Sequence, residues 1–444
     1  MKIAQLLSYF GTAFNRGHAH FLVSSAAVQA LPLLTAPIVA RLYSPEDFGA
    51  FAVFYALLAV LGGVSLLAMN NAILLEKQDR TAMQSALLSL SIGTCFSASL
   101  LLIVLAVPKP ILHKIFGIAA ADLLIWLPVV LLAASLYQAL YAWAVRCEAF
   151  QLLARNKFIL GAATAGLQIG IGLTDPGPIG FVLAQLGSQS LALGLLVGLF
   201  SQGWRRVSPE RSYAALAERF RLHIALPLYT MPANLVNMLS TFTPDFLINS
   251  LFGTAPLGQY ALANRVVNFP LAFVSTAVQD IFRQQATREF NETGTCRIAF
   301  TRFFLLMSGM AIFVLLPVIA LLPWLVPIVF GPDWDQAGHL IQALAILITI
   351  RFVSSPLSYV WIIRGRQRLD LMWQIGLLIL GLLGFFVPLQ LWPELSIERA
   401  LWVFSLVLAA WYLVALTVSW RLAVAKVAPP ERSTTLVSRT DGTV

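Results

Sequence analysis

The sequence predicts an all-α polytopic membrane protein of about twelve transmembrane helices in two similar six-helix bundles. Three observations carry that prediction: composition, the placement of charge, and an internal repeat. Of 444 residues, 59% are hydrophobic and only 11% are charged, against roughly a quarter charged in soluble domains. A soluble core cannot hide that much apolar surface. The stretches 51–69 and 371–391 contain no charge at all, and about twenty such residues are what a helix needs to cross a hydrocarbon core of roughly 30 Å. A membrane β-barrel would instead show segments of about ten residues alternating apolar and polar, and the chain has no such alternation.

Taken in order, Lys2 with Ile3, Leu6, Leu7, Phe10 and Phe14 predicts a short amphipathic helix over 1–17, lying among lipid headgroups. The apolar run that begins at Phe21 passes through Ala-Val-Gln-Ala at 27–30, a sequence that mimics a signal-peptidase site. Apolar character continues unbroken to Ala40, so the run reads as part of the first span. Charge clusters and Pro/Gly breaks place spans near 18–41, 47–70, 82–107, 119–144, 153–174 and 178–202, a first bundle over 18–203. A charged cytoplasmic linker over 204–221 follows. A second bundle over 222–421 has spans near 222–252, 256–282, 300–323, 336–362, 370–391 and 397–421. The tail, 422–444, reads as cytoplasmic and disordered.

Lys and Arg concentrate in cytoplasmic loops of membrane proteins. Of the 29 here, 23 collect on one side if both termini are cytoplasmic. Four (Arg41, Lys109, Lys114, Arg399) fall on the other side, and two (Arg265, Arg351) fall within spans. Anchoring beside anionic headgroups accounts for the net charge of +9 without nucleic acid. The cysteines are three, Cys95, Cys147 and Cys296, an odd number that argues against disulfides on a reducing side. No Cys/His cluster with zinc spacing and no GxxxxGK[ST] or GxGxxG motif occurs. No metal and no cofactor is therefore expected.

The repeat is Leu31-Pro32-Leu33-Leu34-Thr35-Ala36-Pro37, echoed by Leu226-Pro227-Leu228-Tyr229-Thr230-Met231-Pro232 with five of seven positions identical. In the next helix of each half, Gly49-Ala50-Phe51-Ala52 parallels Gly258-Gln259-Tyr260-Ala261. Six helices per repeat is an even number, so the halves enter the membrane from one side and are related by an axis along its normal. Prolines five residues apart remove helix hydrogen bonds. Pro32, Pro37, Pro227 and Pro232 thus mark spans 1 and 7 either as helices that bend in a transport cycle or as helices kinked for packing.

The stretch Ala40-Arg41-Leu42-Tyr43-Ser44-Pro45-Glu46-Asp47-Phe48-Gly49, with Gly258 to Pro270 in the second half, resembles the polysaccharide biosynthesis and O-antigen translocase family. That family belongs to the multidrug, oligosaccharidyl-lipid and polysaccharide exporter superfamily. The resemblance implies a V-shaped pair of six-helix bundles alternately open to cytoplasm and periplasm in the bacterial inner membrane. The implied activity is a flippase that moves a polyprenyl-diphosphate-linked oligosaccharide, an O-antigen or exopolysaccharide unit, to the periplasmic leaflet. Its partners would be that lipid-linked sugar, membrane lipids and other membrane proteins of polysaccharide assembly. Many relatives carry an Arg-Tyr-Glu-like triplet near the end of span 2, where this chain has Ala68-Met69-Asn70-Asn71. A role for that triplet therefore does not carry over. The two further spans of fourteen-helix lipid II flippases are missing as well.

An anionic cargo calls for a few fixed cations and neutral groups for sugar hydroxyls, and an ionisable residue within a span is a functional candidate by default. Arg265 lies nine residues into span 8, about 14 Å deep. It serves either cargo or an ion pair with Asp245, which lies at comparable depth in span 7. Asp245 is in turn a candidate gate or coupling-ion residue. Arg351, five residues before Pro356, is expected to face the cavity or to bond carbonyls that the proline frees. Arg41 either caps span 1 or lines the cavity. Asn234 with Asn237, and Asn264 with Asn268, each share a helix face, suited to sugar hydroxyls or to bonds between helices.

Two other functions fit parts of this pattern. A membrane enzyme needs positioned acids, bases or a metal, and the outer loops hold only scattered acids, so no enzyme is expected. A cation-coupled antiporter of the multidrug and toxin extrusion type shares the helix plan, but the charges within these spans are mostly arginine.

Overall fold

The computed structural model describes residues 31, 34–207 and 212–426, leaving aside the side chains of 268–270, 272, 273, 276, 277 and 367. The amphipathic helix expected over 1–17, Pro32, the tail from 427 and the side chain of Asn268 lie outside the described residues. Among the described residues every regular element is helical.

The first span is seen as α1, 34–42, followed by α2, Pro45–Ser65. Ser44 starts α2: its hydroxyl accepts from the Asp47 N–H at 3.2 Å, and the Asp47 carboxylate accepts from the Ser44 N–H at 2.9 Å. Such reciprocal caps stabilise a helix start by about 1 kcal/mol. Then come α3, Asp79–Ala106; a short α4, Lys109–Phe116; α5, Ile118–Arg146; α6, Phe150–Gly172; and α7, Ile179–Val207. The linker forms α8, Tyr213–Leu222. The second half holds α9, Met231–Phe252; α10, Thr254–Thr293; α11, Arg297–Phe330; α12, Pro332–Ile363; α13, Gln367–Leu391; and α14, Ile397–Val424.

Eight of these helices are long and apolar enough to cross a membrane. The helices at the remaining expected spans, α1, α6, α9 and α10, include the most polar ones. Asn234, Asn237 and Asp245 lie in α9, and Gln259, Asn264 and Arg265 lie in α10. A helix that faces other helices or a cavity tolerates polar groups that a lipid-facing helix does not.

Three boundaries differ most from those read in the sequence. Span 7 does not begin at 222: the chain turns at His223, passes through a π-helical turn at Leu226–Thr230, and only then enters α9. Pro227 offers no N–H and its ring crowds the preceding turn, and the wider turn relieves both effects. Span 9 does not stop at 323. It continues to Phe330 past Pro323 and Pro327, after a second π-helical turn at Ala311–Leu315. Span 8 overshoots 282 to Thr293, where Gly294 takes a left-handed φ of 74° and ends it, as a C-terminal glycine does. Its charged overhang stays helical, with Arg288 and Glu292 one turn apart at 2.9 Å.

Within each half the helices pack on one another, α3, α5, α6 and α7 in the first and α10 to α14 in the second. The halves meet chiefly where α2 lies against α9 and α10, and the main apolar core runs continuously through both. The periphery is apolar too: Leu102, Phe313, Trp324 and Ile328 are all exposed, as side chains facing lipid would be.

Candidate functional site

α2 and α10 begin at the lysine- and arginine-poor end of the molecule, and their first turns cross there. Around that crossing several contacts join the halves. The Trp334 indole, fully buried, donates to the Ala40 carbonyl at 2.8 Å and stands edge-on to Phe48 at 4.7 Å. Asn249 donates to the Phe116 carbonyl at 3.0 Å, and Arg41 reaches the Val329 carbonyl at 3.4 Å. Arg41, exposed at the end of span 1, thus contacts the far end of span 9. Gln259 braces the first turns of α12, which carry Trp334, donating to the Asp333 carbonyl at 2.6 Å and accepting from the Ala337 N–H at 3.0 Å.

Deeper in the second bundle lies a pocket of about 440 Å³, walled by α9, α10, α12, α13 and α14. That volume sits within the range of roughly 300–1,000 Å³ usual for small-ligand sites. Ser240, Thr241, Asn264, Ser275, Gln279, Ser355 and Arg351 give it polar walls, and Tyr260, Phe352, Phe404 and Tyr412 give it aromatic ones. Arg351 is exposed to this space, and its guanidinium has no hydrogen-bond or ion-pair partner among the described residues. The bond to proline-freed carbonyls is therefore not formed. Instead α12 is fixed to α14 by other groups: Ser405 accepts from the Leu347 N–H at 3.2 Å, and Ser354 donates to the Tyr412 carbonyl at 3.2 Å.

The structure brings two of the expected residues, Arg351 and Asn264, into this pocket. Asp245 lies buried just behind Pro244 of the pocket wall, within electrostatic reach of Tyr260, as is Arg351. Asp245 belongs to none of the ion pairs among the described residues. Arg265, half-buried, follows Gly258 by seven residues and so shares its helix face, the one turned to α2, about 10 Å deeper. Asn234 and Asn237 are exposed, and Asn237 donates to Gln374 of α13 at 3.4 Å. Gln374 in turn donates to Asp370 at 3.1 Å. Pro37 lies inside α1, Pro227 within the π-helical turn, and Pro232 at the start of α9.

Sequence reading missed Tyr260, Ser275, Gln279 and Tyr412. A signal for the first three was present: Tyr260, Asn264, Leu271, Ser275 and Gln279 recur at spacings of four and seven along α10, a single face. No periodicity links Tyr412 to them.

Residues 38–339 match the family described as Polysaccharide biosynthesis protein. Over 195 residues the chain is 24% identical to the teichuronic acid biosynthesis protein TuaB of Bacillus subtilis, covering 44% of this chain and 39% of that one. Over 271 residues it is 26% identical to the succinoglycan biosynthesis transport protein ExoT of Rhizobium meliloti, covering 59% and 51%. The chain thus spans about half the length, or less, of these curated relatives. Among solved structures it resembles the lipid II flippase MurJ in an inward closed conformation, with TM-score 0.69, 13% identity and coverage of 91% and 87%. It also resembles an inward-facing multidrug resistance MATE family transporter of the MOP superfamily, with TM-score 0.66, 16% identity and coverage of 89% and 93%. At such identities the likeness is one of fold.

Proposed function

This chain belongs to the polysaccharide biosynthesis protein family, and on that premise we propose that it is a flippase, not an enzyme, for polyprenyl-diphosphate-linked oligosaccharide. It would sit in a bacterial inner membrane with both termini cytoplasmic and the arginine-poor end at the periplasm. The carrying observation is Arg351, a cation without a partner among the described residues that opens into a pocket whose walls mix hydroxyls, amides and aromatic rings with aliphatic side chains such as Leu344 and Ile348. A guanidinium matches a phosphate or carboxylate with two parallel hydrogen bonds, while the amides and hydroxyls suit sugar hydroxyls. Arg265 adds a second cation on the face turned to the first bundle. Membrane lipids would surround the lipid tail, and other membrane proteins of polysaccharide assembly would receive the product.

The test is reconstitution in liposomes with a fluorescent polyprenyl-diphosphate oligosaccharide on the inner leaflet, scoring its appearance outside. The parent moves the probe. Arg351→Ala, losing a charge-assisted bond of about 1.5–3 kcal/mol, needs about 10–100-fold more probe for the same rate, and Arg265→Ala behaves likewise. Wild-type rates in folded Arg351→Ala protein would remove the cationic pocket from the account. A second reading, a cation-coupled antiporter, draws on buried Asp245 beside the same pocket. Proton-dependent uptake of organic cations, lost in Asp245→Asn, with no movement of the lipid-linked probe, would put that reading first.

A further inference from the structure

We propose that Gly49 and Gly258 are the closing contact of the arginine-poor gate, where the two bundles meet backbone to backbone, so that any side chain at either position holds that end open. The glycines occupy equivalent places in the repeat, each four residues after the first residue of its helix, Pro45 of α2 and Thr254 of α10. A Cβ on Gly49 would lie 1.8 Å from the Thr254 carbonyl oxygen and 3.0 Å from the Gly258 nitrogen. A Cβ on Gly258 would lie 1.7 Å from the Pro45 carbonyl oxygen and 3.0 Å from the Gly49 nitrogen. The two sets of neighbours correspond residue for residue, as a two-fold axis between the bundles demands. Each oxygen stands where a Cα–H points, so the crossing is a reciprocal pair of Cα–H···O contacts, the geometry that small residues permit between membrane helices.

What forbids a side chain here is the partner helix and not the glycine's own conformation. Both residues are inside helices, where alanine is the better helix former. The obstructing atoms are helix carbonyls, which cannot swing aside as a side chain can, so relief requires the helices to separate. Gly63, farther along α2, is the contrast: a Cβ there meets only the flexible Met238 side chain, at 3.3 Å. The position at the helix ends is equally telling. Parting two helices at their tips opens the seam beneath, and Arg265, seven residues on from Gly258, shares the helix face that follows that seam. A fixed pivot belongs nearer the middle.

The inference requires bundles that move, whatever the cargo, so its main test uses none. Full-length protein in nanodiscs, with Cys95→Ser, Cys147→Ser and Cys296→Ala, carries spin labels at Glu46→Cys and Ala255→Cys. Both are exposed positions in the first turns of the same two helices. Electron–electron distance measurements are expected to show a short-distance population in the parent that falls at least about tenfold in Gly49→Ala and in Gly258→Ala. Gly63→Ala should keep it. An unchanged short population in folded Gly49→Ala and Gly258→Ala protein overturns the proposal. Should both variants fail to fold, the glycine-intact protein decides: oxidising the 46–255 cysteine pair should stop movement of the fluorescent polyprenyl-diphosphate probe, and reduction should restore it. Continued movement by fully cross-linked protein would mean that transport does not require this contact to part, which also overturns the proposal.

Discussion

The two ends of the molecule are held by different chemistry. At the arginine-poor end, the buried contacts that join the bundles are neutral: glycine backbones, the Trp334 indole on the Ala40 carbonyl, and Asn249 on the Phe116 carbonyl, with the exposed Arg41 on the Val329 carbonyl at their edge. At the arginine-rich end, charge gathers around Glu76, in the loop after α2. Its carboxylate, only 7% exposed, lies 2.8 Å from His223 and 3.5 Å from Arg219 of α8, on the segment that leads into α9. Nearby, Arg146 donates to the Ile73 and Glu76 carbonyls and pairs with Asp79 at 3.1 Å. A contact of neutral, buried groups is insensitive to salt and pH and is made or broken by shape. An ionic hub ties the linker to the first bundle with a strength that solution conditions tune.

The largest expected effect comes from emptying the neutral end. Trp334→Ala should lower the free energy of unfolding by about 3–5 kcal/mol, the range for a buried aromatic, seen as an earlier thermal unfolding midpoint in detergent. Trp334→Phe keeps a ring against Phe48 but leaves the Ala40 carbonyl without its donor, a loss of about 1–3 kcal/mol. An unchanged midpoint in Trp334→Ala would remove that end from any role in stability.

Glu76→Gln should cost about 3 kcal/mol, the low end for breaking a buried pair, and its signature is pH dependence. Burial pulls the Glu76 carboxyl upward, but hydrogen bonds from His223 and Thr81 and the charge of Arg219 outweigh it and hold the carboxyl below its ordinary range. A carboxyl depressed in the folded state contributes stability at pH above its unfolded value. That contribution is lost as pH falls through the folded value. The parent's midpoint should therefore drop between about pH 5 and pH 3 more than that of Glu76→Gln, with Trp334→Phe tracking the parent. Parallel curves for parent and Glu76→Gln would sink the ionic account. The smallest effect is expected at the exposed pair Arg288–Glu292: Glu292→Ala should change stability by no more than about 0.5 kcal/mol, within the scatter of repeated melts.

Much of the architecture was legible because apolar runs and charge clusters punctuate the chain at span length. Prolines misled at two boundaries. Pro323 looked like the end of span 9, yet α11 carries it and Pro327 within one helix, and Pro227 turned the expected start of span 7 into a π-helical turn. Of the candidate site residues, Arg351 and Asn264 line the pocket, whereas Arg41 contacts the Val329 carbonyl and Asp245 lies behind the pocket wall. Depth along a helix can be counted from sequence. Rotation about its axis cannot, and rotation separates a pocket residue such as Asn264 from its neighbour Arg265.

By itself the sequence determined that this is a multi-pass helical membrane protein with a repeated half. A helix in a bilayer satisfies its backbone groups within its own segment, so most spans announce themselves locally. The echo of Gly49 in Gly258 was equally plain in the sequence. That the two glycines touch, that Trp334 reaches across to Ala40, and that Tyr260, Arg351 and Tyr412 share one pocket was decided only by tertiary structure. Which face of a helix meets which neighbour depends on tilt, rotation and the fit of side chains hundreds of residues apart, and no local pattern records that fit.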